Sequence, residues 1–337
     1  MKNDTHYQNK KILFICVIII LTVTAIISVC VGKYEISVKD MIDIISGVGG
    51  DRMQEQVLWI LRLPRTVMAI MAGAGLGMAG YVYQIVFKNP LASPDIIGIA
   101  GGANLGAAAA IVTISSANMV AIATGAFWGA FIAVVCVLLL VRITSSHSMA
   151  TFVIAGIIIN AISKAAIMVL KYFADPQNEL ATMEYWEMGT FGNTTLSKVL
   201  SILPMFLVGM IGLILMHRQV GLMALSDAEC RALGVRLKPV RTMILLLSTL
   251  VVSSVISITG LISFAGLIAP HIARLMLKKD DFATMIMSAL MGSLIVTVAD
   301  ICARSLYSAE LPVSIMTTAV GVPMLVYFLY KRGKENL

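Results

Sequence analysis

The sequence predicts an all-α polytopic membrane protein with about ten transmembrane helices, and two observations carry this prediction. The 337 residues are 59% hydrophobic and only 13% charged, whereas a soluble domain is about one quarter charged. Apolar runs of the roughly 20 residues needed to cross a bilayer recur along the whole chain. The predicted spans cover residues 12–31, 66–86, 95–113, 118–141, 150–173, 197–216, 239–259, 262–277, 283–303 and 313–330. The eighth run is short, so nine or ten spans fit the pattern.

The distribution of Lys and Arg predicts how the chain lies in the membrane. With ten spans and a cytoplasmic N-terminus, fourteen of the 25 Lys and Arg fall in cytoplasmic segments and six in outer segments. Cytoplasmic loops carry an excess of these residues, so both termini are predicted to be cytoplasmic. The net charge of +7 then reflects membrane orientation and is not a nucleic-acid footprint. The first run is too long for a signal-peptide core and is interpreted as a retained span.

Two segments between the spans are predicted to contain short helices. In the outer segment 32–63, apolar residues recur at helical spacing and favour an interfacial helix: Val38, Met41, Ile42 and Ile45. In the cytoplasmic segment 217–238, Ser226 is a candidate N-cap with Glu229 as its capping-box partner, and Gly234 is a candidate end of the helix. A helix of about two turns is unstable alone. It is therefore either a capped surface helix or a docking helix for a cytoplasmic partner.

The segment between the second and third spans contains a tight turn, Asn89-Pro-Leu-Ala-Ser-Pro-Asp95. Two prolines four residues apart cannot lie within one regular helix, because each lacks an N–H group and restricts the preceding residue. A helix is predicted to end near Phe87 and the next to begin near Asp95. This turn is either a connector or a moving part. The glycines of the two flanking spans, at small-xxx-small spacing, favour close helix packing and could also leave room for a solute.

Polar side chains within the spans are costly and usually face the interior of the bundle. Lys164 is the sharpest case, and three interpretations stay open: it reaches outward to water, it pairs with Asp300, or it lines a path for an anionic solute. Asn104 and Asn160 are further candidates for such a path. Asp300 and Arg304 lie four residues apart and can pair with each other. His271 is interpreted as a hydrogen-bonded structural residue.

The sequence lacks the motifs of a catalytic protein. It contains no His-Glu-x-x-His, no Gly-x-Ser-x-Gly and no nucleotide-binding Gly-x-x-x-x-Gly-Lys-[Ser/Thr]. The five cysteines show no paired spacing, which favours packing over disulfides or metal binding. We therefore expect no enzymatic activity and no bound cofactor or metal on this chain. Uphill transport would draw on an ion gradient or on an ATPase in another chain.

Four stretches together resemble the permease subunits of type II ABC importers, which take up ferric siderophores, haem and vitamin B12. They are RLPRTVMAIMAGAGLGMAGYVYQIVFKNPLASPDIIGIAGGANLGA from Arg62, LSDAECRALGV from Leu225, ITGLISFAGLIAPHIARLMLKKD from Ile258, and ADICARSLYSAELPVSIMTTAVGVPMLVYFL from Ala299. The resemblance implies a single permease domain over residues 1–337 with a vitamin B12-permease-like bundle in a bacterial cytoplasmic membrane. It also implies a second permease subunit, identical or paralogous, two ATPase subunits that bind ATP and magnesium, and an extracytoplasmic binding protein.

The resemblance also implies roles for particular residues. Arg62, Arg65 and Arg304 match the arginines that pair with acidic residues of the binding protein, with lipid-headgroup anchoring as the alternative. The helix from Ser226 to Gly234 matches the coupling helix that sits on the ATPase; its assigned residues are Ser226, Asp227, Ala228, Glu229, Leu233 and Gly234. The turn at Asn89 and the loop before the fifth span match the cytoplasmic gate; its assigned residues are Asn89, Leu91, Ser148 and Met149.

The substrate is less well specified than the class. A ferric siderophore is expected because it is the commonest substrate of this family and because Lys164 would favour an anionic chelate, with haem and cobalamin as alternatives. The rival class is an ion-coupled secondary transporter. That class predicts intramembrane acids along the path, whereas Asp300 is the one acid well inside a predicted span and lies near its outer end.

Overall fold

The computed structural model describes residues 2–32, 34, 36–47, 51–114, 118–144, 149–307 and 309–335, and no strand occurs among them. Their helices are α1 (Lys2–Cys30), α2 (Val38–Ser46), α3 (Arg52–Gln56), α4 (Leu63–Val86), α5 (Ile99–Thr113), α6 (Met119–Ile143), α7 (Met149–Phe173), α8 (Ala181–Glu187), α9 (Leu196–Leu215), α10 (His217–Leu222), α11 (Asp227–Ala232), α12 (Leu237–Thr259), α13 (Ala265–Leu277), α14 (Phe282–Ser305) and α15 (Val313–Glu335). Three shorter helical stretches complete them: Val57–Arg62, Pro94–Ile97 and Pro176–Leu180.

The helices confirm the predicted all-α membrane fold. Seven of the described helices are long and apolar enough to cross a membrane, and three shorter apolar helices, α5, α13 and residues 313–328 of α15, occupy the remaining predicted positions. Two predicted boundaries were wrong. The helix predicted to begin near Asp95 begins at Ile99, after a 3-10 turn over Pro94–Ile97. The second span is part of one continuous helical segment from Arg52 to Val86.

Glycines let the central helices approach until their backbones touch. A Cβ atom added at Gly73 would overlap the backbone of Gly292, so α4 and α14 pack at van der Waals distance there. A Cβ atom added at Gly106 of α5 would likewise overlap the backbone of Gly125 of α6. These contacts confirm that the small-residue spacing serves close packing. The buried core lies around α4, which α12, α13 and α14 surround.

The first and last helices place both chain ends on one side of the bundle. Near its N-terminal end, α1 pairs through Lys10 with Asp281, and its C-terminal end lies beside Arg62. α15 begins on the same side as Arg62, where Glu310 contacts Arg65, and runs back across the bundle. We call the side that holds Lys10 and Asp227 the Asp227 end, and the opposite side the Arg65 end.

The short helix predicted in segment 32–63 is present as α2. Ser37 caps it, since its side chain accepts a hydrogen bond from the Asp40 backbone and the Asp40 carboxylate accepts one in return. Val38, Ile42 and Ile45 are all exposed on its surface. This amphipathic helix lies at the Arg65 end, which suits the predicted interfacial position.

Candidate translocation cavity and partner-binding surfaces

A half-open cavity of about 420 Å³ is lined by α5, α7, α12 and α13, and the predicted path residues meet there. Asn104 of α5 and Asn160 and Lys164 of α7 all line it. The opposite wall is formed by α12 and by the segment from Leu261 to Leu267. Ligand sites typically enclose about 300–1,000 Å³, so the space is large enough for a small solute.

Two interrupted helices form the ends of this cavity. On one side, the 3-10 turn Pro94–Ile97 packs on α7: the Asp95 carbonyl oxygen accepts a hydrogen bond of 2.7 Å from Asn160, and Gly98, at φ +81°, begins α5. On the other side, the chain runs without helix from Gly260 to Phe264, whose φ of +64° leads into α13. The sequence predicted both interruptions, at the turn 89–95 and between residues 259 and 262, but not that they border one cavity.

The sequence left Lys164 with three interpretations, and its position selects among them. Asp300 accepts hydrogen bonds from Arg65 and lies 3.7 Å from Arg304, so the interpretation that pairs Lys164 with Asp300 is wrong. Lys164 is exposed to the cavity, and no carboxylate lies within 4 Å of its amine among the described residues. The position of Lys164 in the cavity therefore fits the interpretation that it lines a path for an anionic solute.

The gate residues lie where α4 ends, at the Asp227 end of the bundle. Asn89 caps the turn, since its side-chain oxygen accepts a hydrogen bond of 2.9 Å from the backbone N–H of Leu91. Leu91 is half exposed, and Met149 packs against the core at the start of α7. Ser148 lies outside the described residues. The gate assignment stays a prediction, with Asn89 and Leu91 on the surface.

The helix from Ser226 to Gly234 has the predicted caps. Ser226 accepts a hydrogen bond from the Glu229 backbone, while the Glu229 carboxylate accepts one from the Ser226 backbone. Gly234 adopts φ +75°, in the left-handed region that glycine favours at a helix end. The buried Cys230 holds the helix onto α10 through a 3.0 Å contact to the Leu222 carbonyl oxygen. The remaining surface is free for a partner, with Ala228, Glu229 and Leu233 exposed.

Asp227 links this helix to the candidate gate, a connection that the sequence did not reveal. Its carboxylate accepts a 2.5 Å bond from Arg241 at the start of α12 and lies 3.4 Å from the amine of Lys88. Lys88 immediately precedes Asn89 and has a left-handed backbone, φ +48°. The hydrogen bond from Arg241, followed by the effect of Lys88, lowers the pKa of Asp227. The carboxylate is therefore the shared contact of three segments.

Of the three arginines expected to bind a partner, Arg62 and Arg65 are buried and Arg304 is partly buried, and all three are bonded within the chain. Arg65 donates to both carboxylate oxygens of Asp300, the shortest contact being 2.7 Å, and also to Glu310 at 2.7 Å. Asp300 is fully buried, whereas the side chain of Glu310 is 30% exposed. These residues form a cluster with no net charge, made of two arginines, Arg65 and Arg304, and two acids, Asp300 and Glu310. The cluster joins α4, α14 and the segment that leads into α15.

Arg62 and Arg304 hold the end of α1. Arg62 is 5% exposed and donates to the carbonyl oxygens of Val29, Cys30 and Tyr34. Arg304 donates to Ser28 and lies 3.7 Å from Asp300, as its spacing of four residues predicted. These positions do not fit headgroup anchoring. The docking role stays a prediction, and it now has to account for guanidinium groups that already have partners.

The structural interpretation of His271 agrees with the described contacts. The His271 ring bonds to the Leu267 carbonyl oxygen at 2.8 Å and stacks on Phe328 with ring centroids 5.3 Å apart. All five cysteines are free. No group of three or more potential metal ligands occurs in the described part of the chain.

The fold, the central cavity and the exposed capped helix define a polytopic membrane permease. Comparison with known proteins gives the family: residues 20–331 match the FecCD transport family, and the chain belongs to it. It is 31% identical to the molybdate import system permease MolB of Haemophilus influenzae over 100% of both chains. It is likewise 31% identical to the Fe(3+)-citrate import permease YfmE of Bacillus subtilis over 100% of both.

Further relatives broaden the range of transported solutes. The hemin transport permease HmuU of Yersinia pestis is 32% identical over 83% of this chain and 85% of its own length. Among solved structures, an inward-facing transporter described as a metal-chelate type ABC transporter superposes with a TM-score of 0.86 at 32% identity, covering 95% of this chain and 99% of the other. Such relatives are permease subunits of ABC importers, and their named substrates differ.

Proposed function

We propose that this protein is the membrane-spanning permease subunit of an ABC importer that translocates a ferric siderophore. The observation that carries the proposal is the capped helix α11, which leaves one face exposed and is joined through Asp227 to the candidate gate turn. Relatives that import iron citrate, hemin and molybdate support the importer class. Haem and cobalamin remain alternative substrates within the same class.

The proposed mechanism moves α11 as a lever. Two ATPase subunits bind and hydrolyse ATP with magnesium, and this chain binds no cofactor itself. Their closure shifts α11; the contact from Asp227 to Lys88 carries the shift to Asn89 and Leu91, and that from Asp227 to Arg241 carries it to α12. The two permease subunits, identical or paralogous, then exchange which side of the path is open.

The proposed orientation puts the Asp227 end and both chain termini in the cytoplasm of a bacterium. The excess of Lys and Arg in the segments at that end supports it. The Arg65 end then faces the extracytoplasmic binding protein. Nothing in the chain calls for a nucleic-acid partner, and the remaining neighbour is the lipid bilayer.

Docking at the Arg65 end requires a rearrangement around Glu310. Arg65 holds two carboxylates, of which Asp300 is buried and Glu310 is partly exposed. We propose that an acidic residue of the binding protein replaces Glu310 on Arg65, since exchange of one rim carboxylate for another keeps the guanidinium paired. Glu310 would then hold Arg65 in the undocked state. This route does not require Arg62 to leave its three carbonyl partners.

An ion-coupled secondary transporter is the rival class. It would place acids along the path, and Asp95 and Glu187 do line the cavity. Glu187, however, lies 3.3 Å from Lys171, and this ion pair removes one of the two carboxylates as an ion-coupling site. An ion-coupled mechanism also gives no role to the exposed capped helix α11.

The substrate test is uptake of labelled ferric siderophores, haem and cobalamin in a strain lacking this gene, with and without the restored gene. We expect restored uptake of one ferric siderophore and dependence on a co-expressed ATPase. Restored uptake of haem or cobalamin alone would keep the class and replace the substrate. Restored uptake that needs no ATPase would contradict the proposed class.

The lowered pKa of Asp227 gives the lever helix a pH dependence. A carboxylate with a lowered pKa stabilises the fold above the ordinary value of about 3.9, and this contribution is lost as the pH falls through the folded-state pKa. We expect the amide protection of α11, measured by hydrogen exchange and corrected for intrinsic rates, to be constant near neutral pH and to fall below about pH 4. Asp227→Asn should lower the protection at neutral pH and remove much of the pH dependence. Equal protection in both proteins would contradict the anchoring role.

A further inference from the structure

The central cavity receives the N-terminal ends of two helices. α5, of 15 residues, begins at Ile99, and Ala100 and Gly101 of its first turn line the cavity. α13, of 13 residues, begins at Ala265, and Gly266 and Leu267 of its first turn line the facing wall. The first N–H groups of a helix have no partner within it, and the helix dipole makes this end positive. Such interrupted helices are a recurring way to bind charged solutes inside a membrane protein.

A buried and unpartnered side chain in the same cavity points independently to a ligand. Asn104 is 7% exposed, lines the cavity one turn into α5, and makes no hydrogen bond with any described residue. Buried polar side chains are normally hydrogen-bonded. Asn160, on the neighbouring helix α7, uses one amide hydrogen on the Asp95 carbonyl oxygen and has a second to offer. The two amides therefore provide donors that a bound solute can use.

The charges around the cavity favour an anionic group. Its ionisable lining side chains are Asp95, Lys164 and Glu187. Glu187 lies 3.3 Å from Lys171, which also pairs with Glu184 at 2.6 Å, so one lysine serves two carboxylates at this edge of the cavity. Asp95 contributes one negative charge and Lys164 one positive charge. The N-terminal ends of α5 and α13 add roughly half a positive charge each, and the C-terminal end of α12 adds roughly half a negative charge. Among these groups, Lys164 is the cation that has no carboxylate within 4 Å among the described residues, so its charge is available to an anionic solute.

We infer that this cavity is a solute-binding site that takes a group bearing an oxyanion, with Lys164 as the charge partner and Asn104 and Asn160 as hydrogen-bond donors. The inference rests on the proposed importer function and narrows its substrate. A carboxylate-bearing ferric chelate and a free inorganic oxyanion share the required chemistry. An uncharged ferric chelate lacks it.

The test measures uptake by the complete importer, with its ATPase and binding protein, of ferric citrate, molybdate and an uncharged ferric trihydroxamate. The first two probes separate a chelate carboxylate from an inorganic oxyanion. We compare wild type with Lys164→Gln and Lys164→Arg, each normalised to the amount of assembled complex. Lys39→Gln serves as the matched control, because Lys39 is an exposed lysine on α2, away from the cavity.

We expect Lys164→Gln to lower uptake of the transported anionic probe at least tenfold, while Lys164→Arg keeps more than half and Lys39→Gln keeps all of it. Asp95→Asn should transport the anionic probe at or above the wild-type rate. Uptake by Lys164→Gln at the wild-type rate would overturn the inference, as would a wild type that imports only the uncharged chelate. A loss in Asp95→Asn as large as in Lys164→Gln would also overturn it. A wild type that imports none of these probes, and neither haem nor cobalamin, with ATP would count against the importer function itself.

Discussion

Replacing residues 227–234 by a Gly/Ser linker of equal length is expected to abolish co-purification of the ATPase and to reduce uptake to background. This replacement removes the capped helix α11 together with its exposed residues Ala228, Glu229 and Leu233. A two-turn helix has little stability of its own, so its caps and its anchors at Cys230 and Asp227 are what present this face. The linker keeps the chain connected but removes the rigid surface that a partner would bind.

The matched control is the same linker in place of residues 38–45 of α2. This helix is also short, capped and exposed, but it lies at the opposite end of the bundle. The control should retain the ATPase at full yield. A single change, Leu233→Glu, should lower co-purification without affecting assembly, because Leu233 is 62% exposed and makes no part of the core. Full recovery of the ATPase with the 227–234 linker would show that the coupling assignment is wrong.

Asp300→Ala is expected to destabilise the folded protein more than any other single change in the arginine cluster. Asp300 is fully buried and accepts hydrogen bonds from Arg65, while Arg304 lies 3.7 Å away. Removing one partner of a buried ion pair leaves an uncompensated charge and costs about 3–5 kcal/mol. The yield of monodisperse protein in detergent should collapse, and its thermal midpoint should fall sharply.

Glu310→Gln is the matched control for this change. Glu310 binds the same guanidinium but is partly exposed, so its loss is screened by water and should cost about 1 kcal/mol or less. Equal shifts of the thermal midpoint in Asp300→Ala and Glu310→Gln would contradict the claim that the buried Asp300 contributes most to the stability of this cluster. The same reasoning changes the expectation for Arg62→Glu plus Arg65→Glu. A docking role alone would imply lost uptake with intact assembly; with both residues buried, we expect assembly to fail as well.

The sequence predicted the features that depend on local pattern. Hydropathy located all ten apolar helices, and the Ser226–Glu229 spacing predicted a capping box that is present. Glycine spacing predicted close helix contacts, although not that Gly73 would meet Gly292. These features need only residues within one or two turns of each other, where helix geometry fixes the neighbours.

The sequence did not predict which residues pair over long distances along the chain. Arg65 meets Asp300 across 235 positions, and no local pattern connects them. Lys164 and Asp300 seemed a reasonable pair because both are charges within spans, yet a closer arginine binds the acid. The break after residue 259 was predicted, but its extension to Phe264 was not, since a left-handed backbone at a bulky residue has no sequence signal. Asn89-to-Asp95 was recognised as a turn, but its last residues continue as a 3-10 turn into the cavity wall.

The central claim, that this chain is the permease of an ATP-driven importer, is tested most directly by measuring which energy source drives solute accumulation. Proteoliposomes would contain this chain, its second permease subunit and the ATPase subunits, with the binding protein added outside and labelled solute supplied with it. The account predicts solute accumulation that requires hydrolysable ATP on the side of the Asp227 end and persists when proton and sodium gradients are collapsed. Accumulation driven by an imposed ion gradient without ATP would contradict it.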